Sequence, residues 1–419
     1  MKRQLIKQMR NEWRDNLWMV VALTVVTIAV WGLGVFLWAN IHGILDSRGF
    51  DPENVYTFTT GWVPRSSDEY IDYGEGEAFD KGYNGDFRAL LRALRESPNV
   101  EAAALHNNAL PYNYNHNGSS VVLLDEPDSL GYYGNERIGS PDMARVLKFK
   151  SRTGKTPEQL AEILKNDPEA VFLSPLTPNS RKQNNPEKML GKKVFIGGDS
   201  ANVLRVADII DGIVRSDFEG MRQTIYRVDE FDEETISWGS FAVRVKPGHG
   251  AAFEEEFRST PAMRRHGNVS LTNMQKLTDK RDALQRSSYA QTRFMCSLIL
   301  MLIAIVMLGL LGTFWFRVQQ RTQEIAIRKV CGASSRQLFR RILSEAMLLL
   351  VGATVLAGAL MWSIVLLSDI EIFTEFDTSW IIAGEAFTFV LMAIGIVVSI
   401  WWPARNAMKI EPALAIKDE

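Results

Sequence analysis

Four long apolar segments interrupt an otherwise polar chain, one near its start and three toward its end. They span residues 17–39, 294–316, 346–367 and 386–402, with lengths of 23, 23, 22 and 17 residues and no charged side chain inside them. About 20 apolar residues in a helix, at 1.5 Å each, cross the hydrocarbon core of a bilayer. The pattern therefore predicts four transmembrane helices, of which the fourth is the shortest.

The first apolar segment has an alternative interpretation as a cleaved signal peptide. Its apolar run is longer than the usual ~7–15 residues, and the exit sequence LWAN at 37–40 lacks the small residues that a signal peptidase needs. We therefore expect it to remain as a membrane anchor.

Charged residues are distributed unequally on the two sides of these segments. Residues 1–16, 317–345 and 403–419 together hold 15 Lys and Arg against 7 Asp and Glu. The insert 40–293 has a net charge of −5, and the loop 368–385 has five acidic residues and no basic one. Because cytoplasmic loops are enriched in Lys and Arg, the pattern predicts cytoplasmic termini and an insert outside the cytoplasm.

Whole-chain composition excludes several classes of protein. With 46% hydrophobic residues the chain is too apolar for a disordered protein, and two Cys are too few for a disulfide scaffold. The 47 basic and 49 acidic residues argue against a nucleic-acid partner. The mean hydropathy of −0.07 averages two unlike populations, the apolar segments and the polar insert.

The insert mixes helix and strand patterns. Helical spacing covers residues 86–97 and 250–257, and Thr156-Pro157-Glu158-Gln159 has the sequence of a capping box that opens another helix. We also predict strands at the following ranges: 171–173, 193–196, 204–213 and 241–245. The Asn-rich stretch 106–119 predicts a loop, and the whole insert is expected to be an α+β domain with two lobes.

The insert contains no familiar sequence motif for catalysis, cofactor binding or metal binding. Gly154-Lys155-Thr156 resembles the end of a phosphate-binding loop, but Phe149 stands where that loop needs a glycine. The five His residues have no metal-ligand spacing. We therefore predict no catalytic residue, no cofactor and no metal ion, and thus a protein that is not itself an enzyme.

The loop 317–345 holds the most informative pattern. Its first part is compatible with a short helix, Gly332 favours the left-handed backbone that ends a helix, and Ser334 with Gln337 forms a second capping box. This predicts a short helix, a corner and a second helix that runs into the third apolar segment. A basic helix held by anionic lipid explains the charge of the loop but not the corner.

Small residues recur along the third apolar segment and predict close helix packing. They are Gly352, Ala353, Ala357 and Gly358. Packing within this chain and packing against a second subunit both remain open.

Two motifs resemble a known family. EIAIRKVCGAS at 324–334 resembles the REIGIRKALGAS signature of FtsX/MacB-type ABC transporter permeases, and PARNAMKIEPAL at 403–414 resembles their closing PARRAARIDPVEAL motif. The insert is similar, more weakly, to the MacB-like periplasmic core domain. Cys331 departs from the usual leucine, and no nucleotide-binding domain accompanies the motifs.

The resemblance implies a permease of the inner membrane that acts by mechanotransmission. In such a system a separate ABC ATPase, a second permease subunit and a periplasmic adaptor protein are the expected partners, besides membrane lipid. ATP hydrolysis then moves the outer domain for export or efflux. The residues implied to contact the ATPase are Glu324, Ile325, Arg328, Lys329, Gly332, Ala333 and Ser334.

Two other functions are alternatives to transport: a membrane scaffold or sensor, and a membrane-tethered enzyme. An FtsX-like scaffold or sensor would regulate envelope hydrolases or signalling rather than transport, although no cytoplasmic segment here is long enough for an output module. A membrane-tethered enzyme would need a catalytic constellation that the sequence does not contain in familiar form. The substrate is not indicated by any of these patterns.

Overall fold

The computed structural model divides the chain into two compact units. The insert unit is His42–Ser288, and the helical unit consists of Met1–Ile41 together with Tyr289–Glu419. The structure describes residues 13–45, 48–113, 117–127, 131–176, 183–198, 202–218, 223–228, 239–320, 327, 330–367 and 378–409.

Helices α1 to α10 are numbered here in chain order over the described residues. They are α1 (Trp13–Leu45), α2 (Glu77–Glu96), α3 (Met143–Val146), α4 (Pro157–Asn166), α5 (Pro186–Met189), α6 (Gly250–Ser259), α7 (Pro261–Arg264), α8 (Leu277–Gln320), α9 (Ser335–Leu367) and α10 (Thr378–Lys409).

All strands of the described residues lie in the insert unit. They are β1 (Val55–Trp62), β2 (Val100–Asn107), β3 (Gly118–Leu123), β4 (Tyr132–Gly139), β5 (Ala170–Leu173), β6 (Lys193–Ile196), β7 (Val203–Ile209), β8 (Thr224–Arg227), β9 (Ser240–Val245), β10 (Arg265–His266) and β11 (Val269–Lys276).

The apolar helices make this a membrane protein. Three helical stretches are long and apolar enough to cross a bilayer, judged by length and composition: Leu277–Gly309, Arg336–Ser363 and Ile381–Trp401. A shorter apolar stretch, Met19–Val35, lies within α1. The predicted layout of four spans and two lobes stays a prediction.

The last apolar helix includes Glu385. The span predicted at 386–402 lengthens to about 20 residues when residues 381–384 are counted with it, and the described apolar stretch runs from Ile381 to Trp401 within α10, which begins at Thr378. The Glu385 side chain lies close to Gly358 of α9.

The eleven strands of the insert unit form one sheet with two differently shaped parts. The open sheet has the strand order β10-β11-β1-β9-β2, in which every neighbouring pair is antiparallel. The remaining six strands, in the order β4-β3-β6-β7-β5-β8, close on themselves because β8 also pairs in parallel with β4. We call this second part the closed ring. The pairs His106–Gly139 and Asn107–Ile138 join the two parts.

Each part has its own apolar core. The ring encloses buried side chains such as Val121, Tyr132 and Val206. One face of the open sheet packs against α2 and α6 through Phe87, Leu90 and other aromatic and aliphatic side chains. Its opposite face belongs to a further core that includes Val55, Ala104, Ala242 and Leu277. Alternation along the strands directs successive side chains to these two faces.

Local sequence signals agree with several of the observed elements. Thr156 caps α4 through the complete capping box, with Gln159 bonding back to the Thr156 backbone. The strand predicted at 204–213 ends at Ile209, and the helix predicted at 86–97 begins earlier, at Glu77. The Asn-rich stretch predicted as a loop lies partly in strands, since its first two residues end β2 and its last two begin β3.

Candidate functional site

The corner before α9 has the backbone that its sequence predicts. Gly332 has φ of +91°, a conformation that side chains with a Cβ rarely adopt. The Gln337 amide N–H donates to Ser334 Oγ at 3.3 Å, and the Ser334 N–H donates to Gln337 Oε1 at 3.0 Å. These two bonds form the predicted capping box and satisfy two backbone donors at the start of α9.

A helical turn precedes this corner. The Cys331 N–H donates to the Ile327 carbonyl at 3.0 Å. Ile327 and Val330, three residues apart and hence on one helical face, are 56% and 64% exposed. Ile327 stands between charged residues in the predicted loop helix, and neither Ile327 nor Val330 was among the residues predicted to contact the ATPase.

The structure places the predicted coupling residues unevenly. Gly332, Ala333 and Ser334 form the corner, with Gly332 and Ser334 exposed and Ala333 half-buried. The other four lie outside the described residues: Glu324, Ile325, Arg328 and Lys329. The role of all seven in contacting an ATPase stays a prediction.

α9 leads from this corner directly into a three-helix core with α1 and α10. Near its start, Phe339 stacks edge-on against Trp401 of α10, with ring centroids 6.4 Å apart. Farther along, Ala353 and Ala357 are buried, and the Thr24 hydroxyl of α1 lies 3.5 Å from the Ala353 carbonyl. The corner is therefore connected to a helix that is well packed within this chain.

The small residues of α9 do not share one role. The buried Ala353 and Ala357 belong to the intramolecular core, so the described packing favours the first of the two open interpretations for them. Gly352 is exposed, and a Cβ there would meet nothing within 4 Å. A Cβ on Gly358 would lie 2.4 Å from Glu385 Oε1, so a larger residue there would require the Glu385 side chain to shift.

α8 contacts the other helices less. Within its most apolar stretch 6% of the residues are buried, compared with 33% in α9 and in α10. One described contact joins it to α10, where the Ser399 hydroxyl donates to the Met307 carbonyl at 3.1 Å. Leu300 and Leu308 are each 68% exposed, which leaves an apolar surface for lipid or another helix.

The motif that resembled a phosphate-binding loop has a structural explanation. Thr156 is the α4 cap, and Lys155 Nζ lies 3.0 Å from Asp208 Oδ2, whose side chain is fully buried in β7. The Ser151 and Thr153 hydroxyls donate to the same carboxylate. Sequence reasoning identified the cap but missed the ion pair, because the two residues are 53 positions apart.

Comparison with known proteins identifies the helical part of the chain. Residues 296–412 match the family model described as FtsX-like permease C-terminal. The match contains the corner and all of α9 and α10.

Curated relatives extend the similarity beyond that domain. The chain is 28% identical over 258 residues to the macrolide export ATP-binding/permease protein MacB of Shigella sonnei (strain Ss046), a match that covers 58% of this chain and 38% of the relative. The MacB of Escherichia coli (strain K12) is 27% identical with the same coverage. The matched region spans well under half the length of these relatives. Residues 296–412 therefore form an FtsX-like permease C-terminal domain, and the chain is similar to part of the MacB permeases.

Proposed function

We propose that this permease couples ATP hydrolysis by a separate cytoplasmic ATPase to movement of its insert unit outside the cytoplasm, for export. Its relatives are named as combined ATP-binding and permease proteins, and the present sequence contains no nucleotide-binding motif. The proposal assigns the ATPase to a partner chain and the permease to a pair of subunits.

The observation that carries the proposal is the exposed corner at the start of α9. Ile327 and Val330, which precede this corner, are both exposed, and exposed apolar side chains suit insertion into an apolar groove of a partner. A force at this position reaches the membrane through Gly332 and the capped start of α9, a single helix of 33 residues. A helix transmits displacement along its axis because its hydrogen bonds resist stretching.

α8 supplies a second route for motion in this proposal. It is one helix of 44 residues whose first residue, Leu277, is buried in a core of the insert unit. Its last residue, Gln320, directly precedes the predicted coupling segment. A displacement at the cytoplasmic end is therefore expected to be felt in the insert unit.

A test compares two substitutions at Gly332. Gly332→Val places a β-branched side chain at φ +91° and is expected to abolish the stimulation of ATP hydrolysis by the permease in the purified complex. Gly332→Asn is the matched control, because asparagine tolerates the left-handed region, and it should retain most of the stimulation. Equal stimulation in both variants would contradict the proposal, as would purification of the permease without any ATPase.

A further inference from the structure

A cavity of about 580 Å³ lies in the insert unit, on the face of the open sheet that is turned away from α2. Its lining is dominated by hydroxyl and amide side chains. The lining residues are Thr57, Thr59, Thr60, Trp62, His106, Asn107, Asn108, Asn113, Ser240, Asn273, Gln275 and Lys280, with Phe58, Leu110 and Gly239 completing the wall.

The cavity marks a change of chemistry along three neighbouring strands. On each strand an apolar core residue points to this face, and the residue two positions away, which points to the same face, is polar. The pairs are Val55 then Thr57 on β1, Ala104 then His106 on β2, and Ala242 then Ser240 on β9. Strand pairing sets Ser240 directly beside His106, so the polar positions adjoin across the sheet.

His106 stands in the wall of this cavity without a partner. It is 6% exposed, and neither ring nitrogen has a hydrogen-bond partner in the described part of the chain. Burial, aided by the nearby positive charges of Lys280 and Arg137, lowers the pKa of His106 to about 3. The ring is thus neutral at pH 7, with one nitrogen as donor and the other as acceptor.

Lys280 brings a positive charge to the same wall. It lies one helical turn after the buried Leu277 of α8, and no ion pair or hydrogen bond to its side chain occurs among the described residues. Burial lowers its pKa. None of the described lining residues is acidic, so the charge of Lys280 is unbalanced inside the cavity. Lys280 is partly buried, and partial loss of hydration is costly for a charge that has no partner.

From these observations we infer that the cavity binds a small anionic ligand, one that carries a carboxylate flanked by hydroxyl or amide groups. The carboxylate pairs with Lys280, and His106 and the surrounding amides contact the polar flank of the ligand. The volume fits a molecule the size of an acidic amino sugar or a short peptide with a free C-terminus. This inference does not rest on the proposed transport function, since it concerns binding to one unit of the chain.

The binding experiment uses the full chain in detergent micelles and two matched pairs of probes. N-acetylmuramic acid is compared with N-acetylglucosamine, and acetyl-alanyl-alanine with its C-terminal amide, by isothermal titration calorimetry. In each pair only the first compound carries the carboxylate. At least one acid should bind tenfold or more tightly than its neutral counterpart, and the pair that does so identifies the ligand as a sugar acid or a peptide.

Variants separate a binding role from a structural one. Lys280→Met should weaken binding of the acid at least tenfold and, because it removes a partly buried charge without a partner among the described residues, raise the melting temperature of the unliganded chain by about 2–4 °C. Lys148→Met, which removes a half-exposed lysine paired with Glu101, should leave the affinity unchanged. His106→Gln, in which the amide replaces the ring, should weaken binding without lowering the melting temperature.

Three outcomes would overturn the inference. The first is that neither acid binds the wild-type chain. The second is that acids and neutral compounds bind alike. The third is that Lys280→Met lowers the melting temperature and leaves the affinity unchanged, which would make Lys280 a structural residue.

Discussion

The closed ring and the open sheet of the insert unit both bury polar side chains, and two of their buried clusters differ in how those side chains are paired. In the ring, Asp208 accepts hydrogen bonds from three side chains, and Ser174 Oγ accepts from the Thr224 amide at 2.8 Å. In the open sheet, His106 and Lys280 remain without partners among the described residues. Paired polar groups stabilise a fold, whereas unpaired ones cost stability and indicate a ligand.

The largest expected effect concerns the fully buried carboxylate of the ring. Asp208→Ala removes three side-chain hydrogen bonds, including the ion pair with Lys155. Because the Lys155 side chain is 33% exposed, water can solvate its ammonium group and recover part of the lost energy. We expect a loss of about 3 kcal/mol in the free energy of unfolding of the insert unit. Hydrogen exchange of the β7 amides in the full chain measures it.

Asp211→Ala is the control for that substitution. Asp211 pairs with Arg152, which is 42% exposed, so this change should cost about 1 kcal/mol or less. Equal losses of unfolding free energy in the two variants would show that burial does not determine how much Asp208 contributes to stability.

A smaller effect is expected at Ser174, which is 1% exposed. Ser174→Ala leaves the Thr224 amide without its acceptor and removes the contact with the Tyr132 hydroxyl, for a loss of about 2 kcal/mol. Thermal unfolding of the purified chain compares it with Ser259→Ala, where an exposed helical hydroxyl is lost and little should change. An unchanged melting temperature in Ser174→Ala would mean that the paired polar groups of the ring do not stabilise it.

The smallest effect tests the open sheet by pH. The pKa of His106 is about 3 in the folded chain and 6.5 in the unfolded chain, so the unfolded state binds more protons between these values. Stability is therefore lost as the pH falls below 6.5. His106 should contribute a loss of about 1 kcal/mol between pH 7 and pH 5.5.

Replacing the titratable imidazole of His106 isolates this contribution. His106→Phe should flatten the pH dependence of the melting temperature over this range relative to the wild type. His249→Asn, at an exposed histidine that contacts Asn99, serves as the control. An unchanged slope in His106→Phe would mean that His106 takes up its proton at the same pH in the folded and unfolded chains, which would contradict the lowered pKa.

Local features of the fold were predictable from the sequence. Thr156 and Ser334 each stand three residues before a glutamine, and both form the capping boxes that this spacing predicts. Gly332 adopts the left-handed backbone for which glycine is favoured. In each case the determining atoms lie within one helical turn, so the sequence pattern contains the necessary information.

Features that depend on distant segments were not predictable. The cavity arises where β1, β2, β9 and β11 align in register and α8 brings Lys280 over them. No local pattern distinguishes His106 from a histidine in the polar loop that the sequence suggested. Glu385 likewise interrupts an apolar run, and only the position of Gly358 on another helix explains how the last span accommodates it.

The free edge of the open sheet limits how copies of this protein can associate. Closure leaves the ring without an edge, and the open sheet ends in β10, a two-residue strand formed by Arg265 and His266. Along β11 the extended backbone is interrupted at Asn273, where φ is +48°. Short, charged and irregular edges resist the addition of a foreign strand. This edge of the insert unit is therefore poorly suited to edge-to-edge aggregation.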